Sequence, residues 1–206
     1  MNILILGATG RVGSHIVTYA LQDGHYVTVL VRKPEKVQPI HTNLTIIEGN
    51  VLNQEDVARA VQGNDVVISA LNTDGTTTLT DSTPFIIEAM YQEGIERIIT
   101  VGTAGILKSE LSPELLRYQS SESKRRSTRA AEEHEQAYRL LERSNLKWTI
   151  VCPTALQNGE RLGTYRVRQD ILPQGGTEIS VADTAEFTYS QIDASDFIRA
   201  RVGIAY

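Results

Sequence analysis

The sequence holds a single cysteine, Cys152, among 206 residues, so it can form no internal disulfide and no multi-cysteine metal centre. A lone thiol fits a reducing compartment. The four histidines are scattered without ligand spacing, and no metal is expected. No apolar stretch approaches the length of a bilayer span, which excludes a helical membrane protein. Acidic residues outnumber basic ones, 25 to 20, for a net charge of -5 at pH 7. That sign disfavours polyanions, so nucleic acid is not an expected partner. The chain enters "NILIL" directly, with no basic lead and no small-residue cleavage site, and cytoplasmic residence is the expectation. Internal repeats and low-complexity tracts are absent as well.

What is present is the composition of a soluble globular protein, 41% hydrophobic and 22% charged. The length suits one well-filled core, and residues 1–206 are read as a single domain. Short runs apolar on both faces recur at 2–6, 26–31, 65–71, 97–102 and 148–153, with a weaker one at 44–50. Such runs mark parallel strands covered on both sides. Between them lie segments of helical spacing, clearest where Val12, Ile16, Val17, Ala20 and Leu21 share a face. The alternation predicts an α/β fold, a doubly wound parallel sheet of Rossmann-like type. The longest helix is expected over 122–144. Two polar loops, 72–84 and 104–119, leave the carboxyl ends of strands, where open parallel sheets bind ligands. Residues 154–206 are too few for a second domain and are read as a small lid with a final helix–strand flap.

The segment "GATGRVG" follows the first strand and opens a helix. In that context Gly7 permits the tight turn, Gly10 lets backbone approach a pyrophosphate, and Gly13 lets helix lie close to sheet. Peptide N–H groups at the helix start then face the phosphates. The second strand ends in "VLVRKPEK", with Arg32 and Lys33 where an NAD site places a carboxylate. Those cations, with Arg11 beside the second glycine, favour the 2'-phosphate of NADP(H).

These segments, with "EGNVLN", "DVVISAL", "IITVGTAG" and "LLERSNLKWTIVCPTAL", resemble the NAD(P)H-binding atypical short-chain dehydrogenase/reductase group. That group includes the flavin reductase/biliverdin-IX-beta reductase proteins and the NmrA-like proteins. The resemblance runs through nearly the whole chain and implies a Rossmann-like fold and a nicotinamide cofactor. It places Gly7, Thr9, Gly10, Arg11 and Val12 in the phosphate loop, Arg32 and Lys33 at the 2'-phosphate, and Asn50 and Val51 at the adenine wall. It places Ala70, Leu71, Gly102, Thr103, Cys152, Pro153 and Thr154 around ribose and nicotinamide. Asn50 stands where many relatives carry Asp, and Ala155 where flavin reductase-like relatives carry His.

None of the eight tyrosines has a lysine four residues on; Tyr118 is followed by Glu122 and Tyr138 by Glu142. The usual phenol acid of alcohol dehydrogenation is therefore missing. Hydride transfer to a small acceptor that spreads charge, such as a flavin or quinone, does not need it. Thr103 and His134 are the candidate catalytic side chains. Thr103 either bonds a carboxamide or acceptor carbonyl or caps a strand end. His134, which matches a histidine of the flavin reductase-like relatives, either touches the ligands or belongs to the core. Cys152, at a strand end before proline, reads as a buried structural thiol rather than a nucleophile. The run "SKRRSTR" is flanked by glutamates, as on a solvated helix, and is given no partner. The main reading is an NADPH-dependent reductase, its rival an NADP(H)-binding redox sensor that signals to a protein partner without turnover; reduction of an activated carbonyl, with a proton drawn from His134 or water, is a third.

Overall fold

The computed structural model describes residues 1–123 and 125–206. Its core is an eight-stranded sheet in the order β3-β2-β1-β4-β5-β6-β10-β8. The first six strands are β1 Asn2–Leu6, β2 Tyr26–Val31, β3 Leu44–Glu48, β4 Val66–Ser69, β5 Arg97–Val101 and β6 Lys147–Pro153. The last is β10 Ala200–Ala205, and β8 Arg166–Gln169 pairs with it antiparallel while every other pairing is parallel. A small pair, β7 Ala155–Gln157 with β9 Glu178–Ser180, stands beside the sheet.

Because successive strand residues face opposite sides, a run with no polar positions must be covered twice. Ile3, Leu4, Ile5 and Leu6 are all fully buried, and they divide accordingly. Ile3 and Ile5 pack with Val12, Ile16, Val17 and Phe187 from α1 Arg11–Gln22 and α5 Val181–Ser190. Leu4 and Leu6 pack with Val57, Ile86 and Leu141 from α2 Gln54–Val61, α3 Thr78–Glu93 and α4 Arg129–Arg143. The result is the doubly wound, Rossmann-like arrangement, with strand order reversing between β1 and β4.

Three local expectations change. The loop after β4 is shorter than 72–84, because α3 already begins at Thr78 and carries Pro84 in its interior. Its first turn is held from elsewhere: the Glu133 carboxylate accepts the Leu79 N–H at 2.7 Å, across 54 residues of chain, and Thr77 Oγ1 donates to Asp81 at 2.5 Å. That tertiary cap offsets the poor helix propensity of "TLTDSTP". Conversely, α4 starts at Arg129 rather than 122. Glu122 is pulled into a turn instead, where its carboxylate accepts the Glu110 N–H at 3.0 Å and pairs with Arg117 at 3.4 Å. The expected helix also spans residue 124, which lies outside the described residues. Finally, the tail does form a helix and a strand, but β10 is buried along its whole length between β6 and β8. The end of the chain is thus part of the sheet, and the segment left over the strand ends is 155–165.

Candidate functional site

The site grows from the point where the strand order reverses. Gly7 leaves β1 at φ +78, and a Cβ there would overlap the Ala70 carbonyl of the neighbouring strand end. A Cβ at Gly13 would overlap the Gly7 carbonyl, so these two glycines set the distance between loop, helix and sheet. At Gly10 an added Cβ would meet only the Gly7 oxygen, at 3.1 Å, which leaves the middle of the loop open outward. No side chain caps α1, and its first turn holds no acid. The N–H groups that begin a helix have no intrahelical acceptor, so an anion there completes them.

Over the carboxyl ends of β1 to β4 lies a cavity of about 460 Å³. Gly7, Thr9 and Gly10 form one wall, Arg32 stands at the end of β2, and Asn50, Val51, Ala70 and Leu71 close the others. Arg32 is exposed and makes no ion pair among the described residues. Lys33 does not line this cavity and opens the short turn Pro34–Lys36. Asn50 is committed to its own turn: its N–H donates to Asp56 at 2.9 Å and its Oδ1 accepts from the Leu52 N–H at 3.1 Å. The side chain of Val12 is buried in the core, which leaves only its backbone to the loop. Arg11 is exposed and donates to Asn158 Oδ1 at 3.2 Å, joining the glycine loop to the segment that follows β7.

A second cavity, of about 360 Å³, lies over β5 and β6 and is lined by Thr103, Tyr118, Pro153 and Thr154 among others. Thr103 Oγ1 accepts the Gly105 N–H at 3.4 Å, a weak cap, and the residue also lines the cavity. Thr154 Oγ1 is buried without a hydrogen-bond partner among the described residues, an orphan in the wall of a cavity. An amide or carbonyl ligand would complete it. Ala155, at the position where flavin reductase-like relatives carry His, presents nothing titratable. The phenol of Tyr118 donates to Glu135 at 2.6 Å. Burial, together with that carboxylate, pushes its pKa up, so Tyr118 is not an activated acid.

His134 does not join Thr103. It lines a separate, water-sized cavity of about 20 Å³ between α3, α4 and the sheet, with Ser69, Leu71, Thr100 and Gly102. Burial pushes its imidazolium down to about 4, so the ring is neutral at physiological pH. Gly102 faces that cavity while Thr103 faces the larger one, as alternation along a strand end requires. Cys152 is fully buried, and burial pushes its thiol up to about 12, which removes it as a nucleophile.

Several contributors were not foreseen in the sequence. Asp183, fully buried, accepts from the Leu162 N–H at 3.1 Å, the Gly163 N–H at 2.8 Å, Ser180 Oγ at 3.0 Å and Tyr206 OH at 2.6 Å. It fastens segment 158–163 to α5, and Glu186 adds Arg161 at 3.4 Å and Tyr165 OH at 2.5 Å. The only local sign of this was Ser180 followed three residues later by Asp183, a helix-start pattern. Arg125 and Ser127, assigned to a solvated helix face by their charge pattern, instead line the second cavity.

Known proteins resemble the chain along its whole length. The uncharacterized protein YwnB of Bacillus subtilis is 29% identical over 193 residues, covering 90% of this chain and 89% of that protein. A Burkholderia pseudomallei structure described as an exported protein superposes with TM-score 0.86 at 29% identity, covering 100% of both chains. A Streptococcus pneumoniae structure named for NADH-flavin reductase superposes at 0.81 with 25% identity, covering 100% of this chain and 99% of that one. Some curated relatives are longer: the chain spans 33% of a Mycolicibacterium neoaurum 3-beta-hydroxysteroid dehydrogenase, matched at 29% identity over 121 residues. No helix among the described residues is long and apolar enough to cross a membrane. The model of the NAD(P)H-binding family matches residues 7–195, glycine loop included, and the chain belongs to that family.

Proposed function

We propose that this protein is an NADPH-dependent reductase that delivers hydride to a small, planar, delocalised acceptor. The observation that carries the reading is the pairing of two cavities on adjacent strand ends. One is walled by a glycine loop and Arg32, the other by the Tyr118 ring and the orphaned Thr154 hydroxyl. Bound NADPH would supply the hydride. The N–H groups of the loop and of the first turn of α1 would hold the pyrophosphate, with Arg32 on the 2'-phosphate and Lys33 behind it. Thr103 and Thr154 would orient the carboxamide end, each offering a hydroxyl that donates and accepts. Tyr118 offers a flat face against which an aromatic acceptor stacks.

Among the described residues, none that lines the second cavity is poised to donate a proton near neutral pH. Tyr118 is bound to Glu135, Cys152 lies behind the wall, and His134 is neutral and in another cavity. An acceptor that spreads the incoming charge over a ring system takes its proton from solvent afterwards, and positioning then supplies the rate. The free thiol and the reductant suit a cytoplasmic setting.

The same absence of an acid favours a second reading, a redox sensor that binds NADP(H) and reports to a protein partner. One experiment separates them: titrate the protein with NADPH and NADH, then follow absorbance at ~340 nm, where reduced nicotinamide absorbs, with flavin, quinone and tetrapyrrole acceptors. Oxidation with any of them is the expected result. Tight NADPH binding with no oxidation across the panel selects the sensor, and no nicotinamide binding removes both.

A further inference from the structure

The second cavity has a charge out of keeping with the molecule. The chain carries a net charge of -5, yet among the described residues the charged side chains lining this cavity are Arg117, Arg125 and Glu122. Two of the three neutralise each other. Glu122 pairs with Arg117 at 3.4 Å, and its remaining capacity is spent on the Glu110 N–H at 3.0 Å and Ser120 Oγ at 3.3 Å. Burial raises the Glu122 carboxyl, but the Ser109 hydroxyl, Arg117 and the peptide N–H groups of Leu111 and Glu110 outweigh it and hold it below its usual range, so it stays ionised. Arg125 is left over. It makes no ion pair and no side-chain hydrogen bond among the described residues, and it stands exposed on the cavity wall beside Ser123 and Ser127. Ala130 and Ala131, in the first turn of α4, line the same side, and peptide N–H groups at a helix start add positive potential. The acid of that turn, Glu132, is engaged by Thr128 at 2.6 Å, and Glu133, the next residue, is committed to the Leu79 N–H.

We propose that this cavity takes an anionic ligand, a planar ring system bearing a carboxylate, phosphate or sulfonate that Arg125 holds at the mouth. Calling that ligand the hydride acceptor rests on the reductase reading above; the anion preference itself does not. A guanidinium fork matches such a group bidentately, and the neighbouring serines and peptide N–H groups complete it. Segment 125–128 lies outside α4 because Glu122 is drawn back to Glu110, and the result is to bring Arg125 over the cavity instead of along a helix face.

The test is a binding measurement on protein saturated with NADP⁺, so that no turnover is needed. Two matched pairs are compared by fluorescence or absorbance titration: riboflavin with FMN, and 1,4-naphthoquinone with its 2-sulfonate. The expected result is tighter binding of the anionic member, by about tenfold in at least one pair, the scale of one charge-assisted contact. The preference should shrink as salt rises, vanish in Arg125→Ala, and survive in Arg126→Ala, whose side chain does not line the cavity. Equal affinities in both pairs, no binding of any of the four, or a preference that persists in Arg125→Ala overturns the proposal. A preference of the expected kind with no NADPH oxidation leaves the anion site standing and removes the reductase reading.

Discussion

The two large cavities lie along one edge of the sheet but are built by different means. The first is walled mainly by backbone and by short side chains from the ends of β1 to β4, within residues 7–78. Its decisive groups are peptide N–H donors, glycines without room for a Cβ, and one arginine. The second draws on two stretches, beginning at Thr103 and at Pro153, and is walled largely by loop residues, with Ala130 and Ala131 from the first turn of α4. A backbone site tolerates few substitutions and holds one ligand shape. A site of loop side chains can be re-lined without disturbing the sheet, which is how one fold serves many acceptors.

The contrast breaks most sharply at the glycines. Gly13→Val places a side chain inside the Gly7 carbonyl's space and should abolish NADPH binding and lower stability by about 3 kcal/mol or more. Gly24→Ala meets nothing within 4 Å, strains only its φ of +79, and should cost about 1 kcal/mol with NADPH affinity intact. Thermal unfolding and cofactor titration read both. Next in size, Arg32→Ala should weaken NADPH binding by roughly ten- to a hundredfold and leave NADH nearly unchanged. Equal losses for the two cofactors would move the 2'-phosphate elsewhere.

A smaller effect tests the segment over the strand ends. Asp183→Asn keeps the shape but loses charge-assisted bonds to Leu162, Gly163 and Tyr206, for a loss of about 2 kcal/mol and a lower melting temperature. Burial raises this carboxyl, but the bonds from Tyr206, Gly163, Leu162 and Ser180 outweigh it and hold its pKa below the unfolded value. Its contribution is therefore complete above the ordinary aspartate range and lost as pH falls through the folded pKa. His134 acts in a different window. Its folded pKa of about 4 lies below the ordinary 6.5, so between those values the unfolded chain binds the extra proton and stability falls as pH falls. His134→Gln should flatten that slope in denaturant titrations at pH 4 to 6.5, and leave the pH dependence of turnover above about 6.5 unchanged.

Legibility followed the same division. β1, β2, β4, β5 and β6 declared themselves because they are short, mainly apolar runs buried on both faces through their centres. β10 did not declare itself as part of the sheet, since Arg201 stands at its second position and yet is only 4% exposed. That guanidinium sits 4.4 Å over the Tyr138 ring and donates to the Ile106 carbonyl, contacts that no local pattern announces. The start of α3 was hidden for the same reason, since its cap is Glu133 of another helix. The glycine loop was readable because its turn, its close contacts and the helix it opens are contiguous in sequence. The second cavity was readable only as loops of unusual length, because its wall depends on where Glu122 finds a partner.

The position of β10 also sets an order on folding. β8 has no neighbour in the sheet except β10, and β6 has an open edge until β10 arrives. Six strands and their helices can therefore assemble while two places in the sheet wait for residues 200–205. Until then the apolar edge of β6 is a template for pairing with other chains. A chain cut before Ala200 would keep an intact glycine loop and still aggregate.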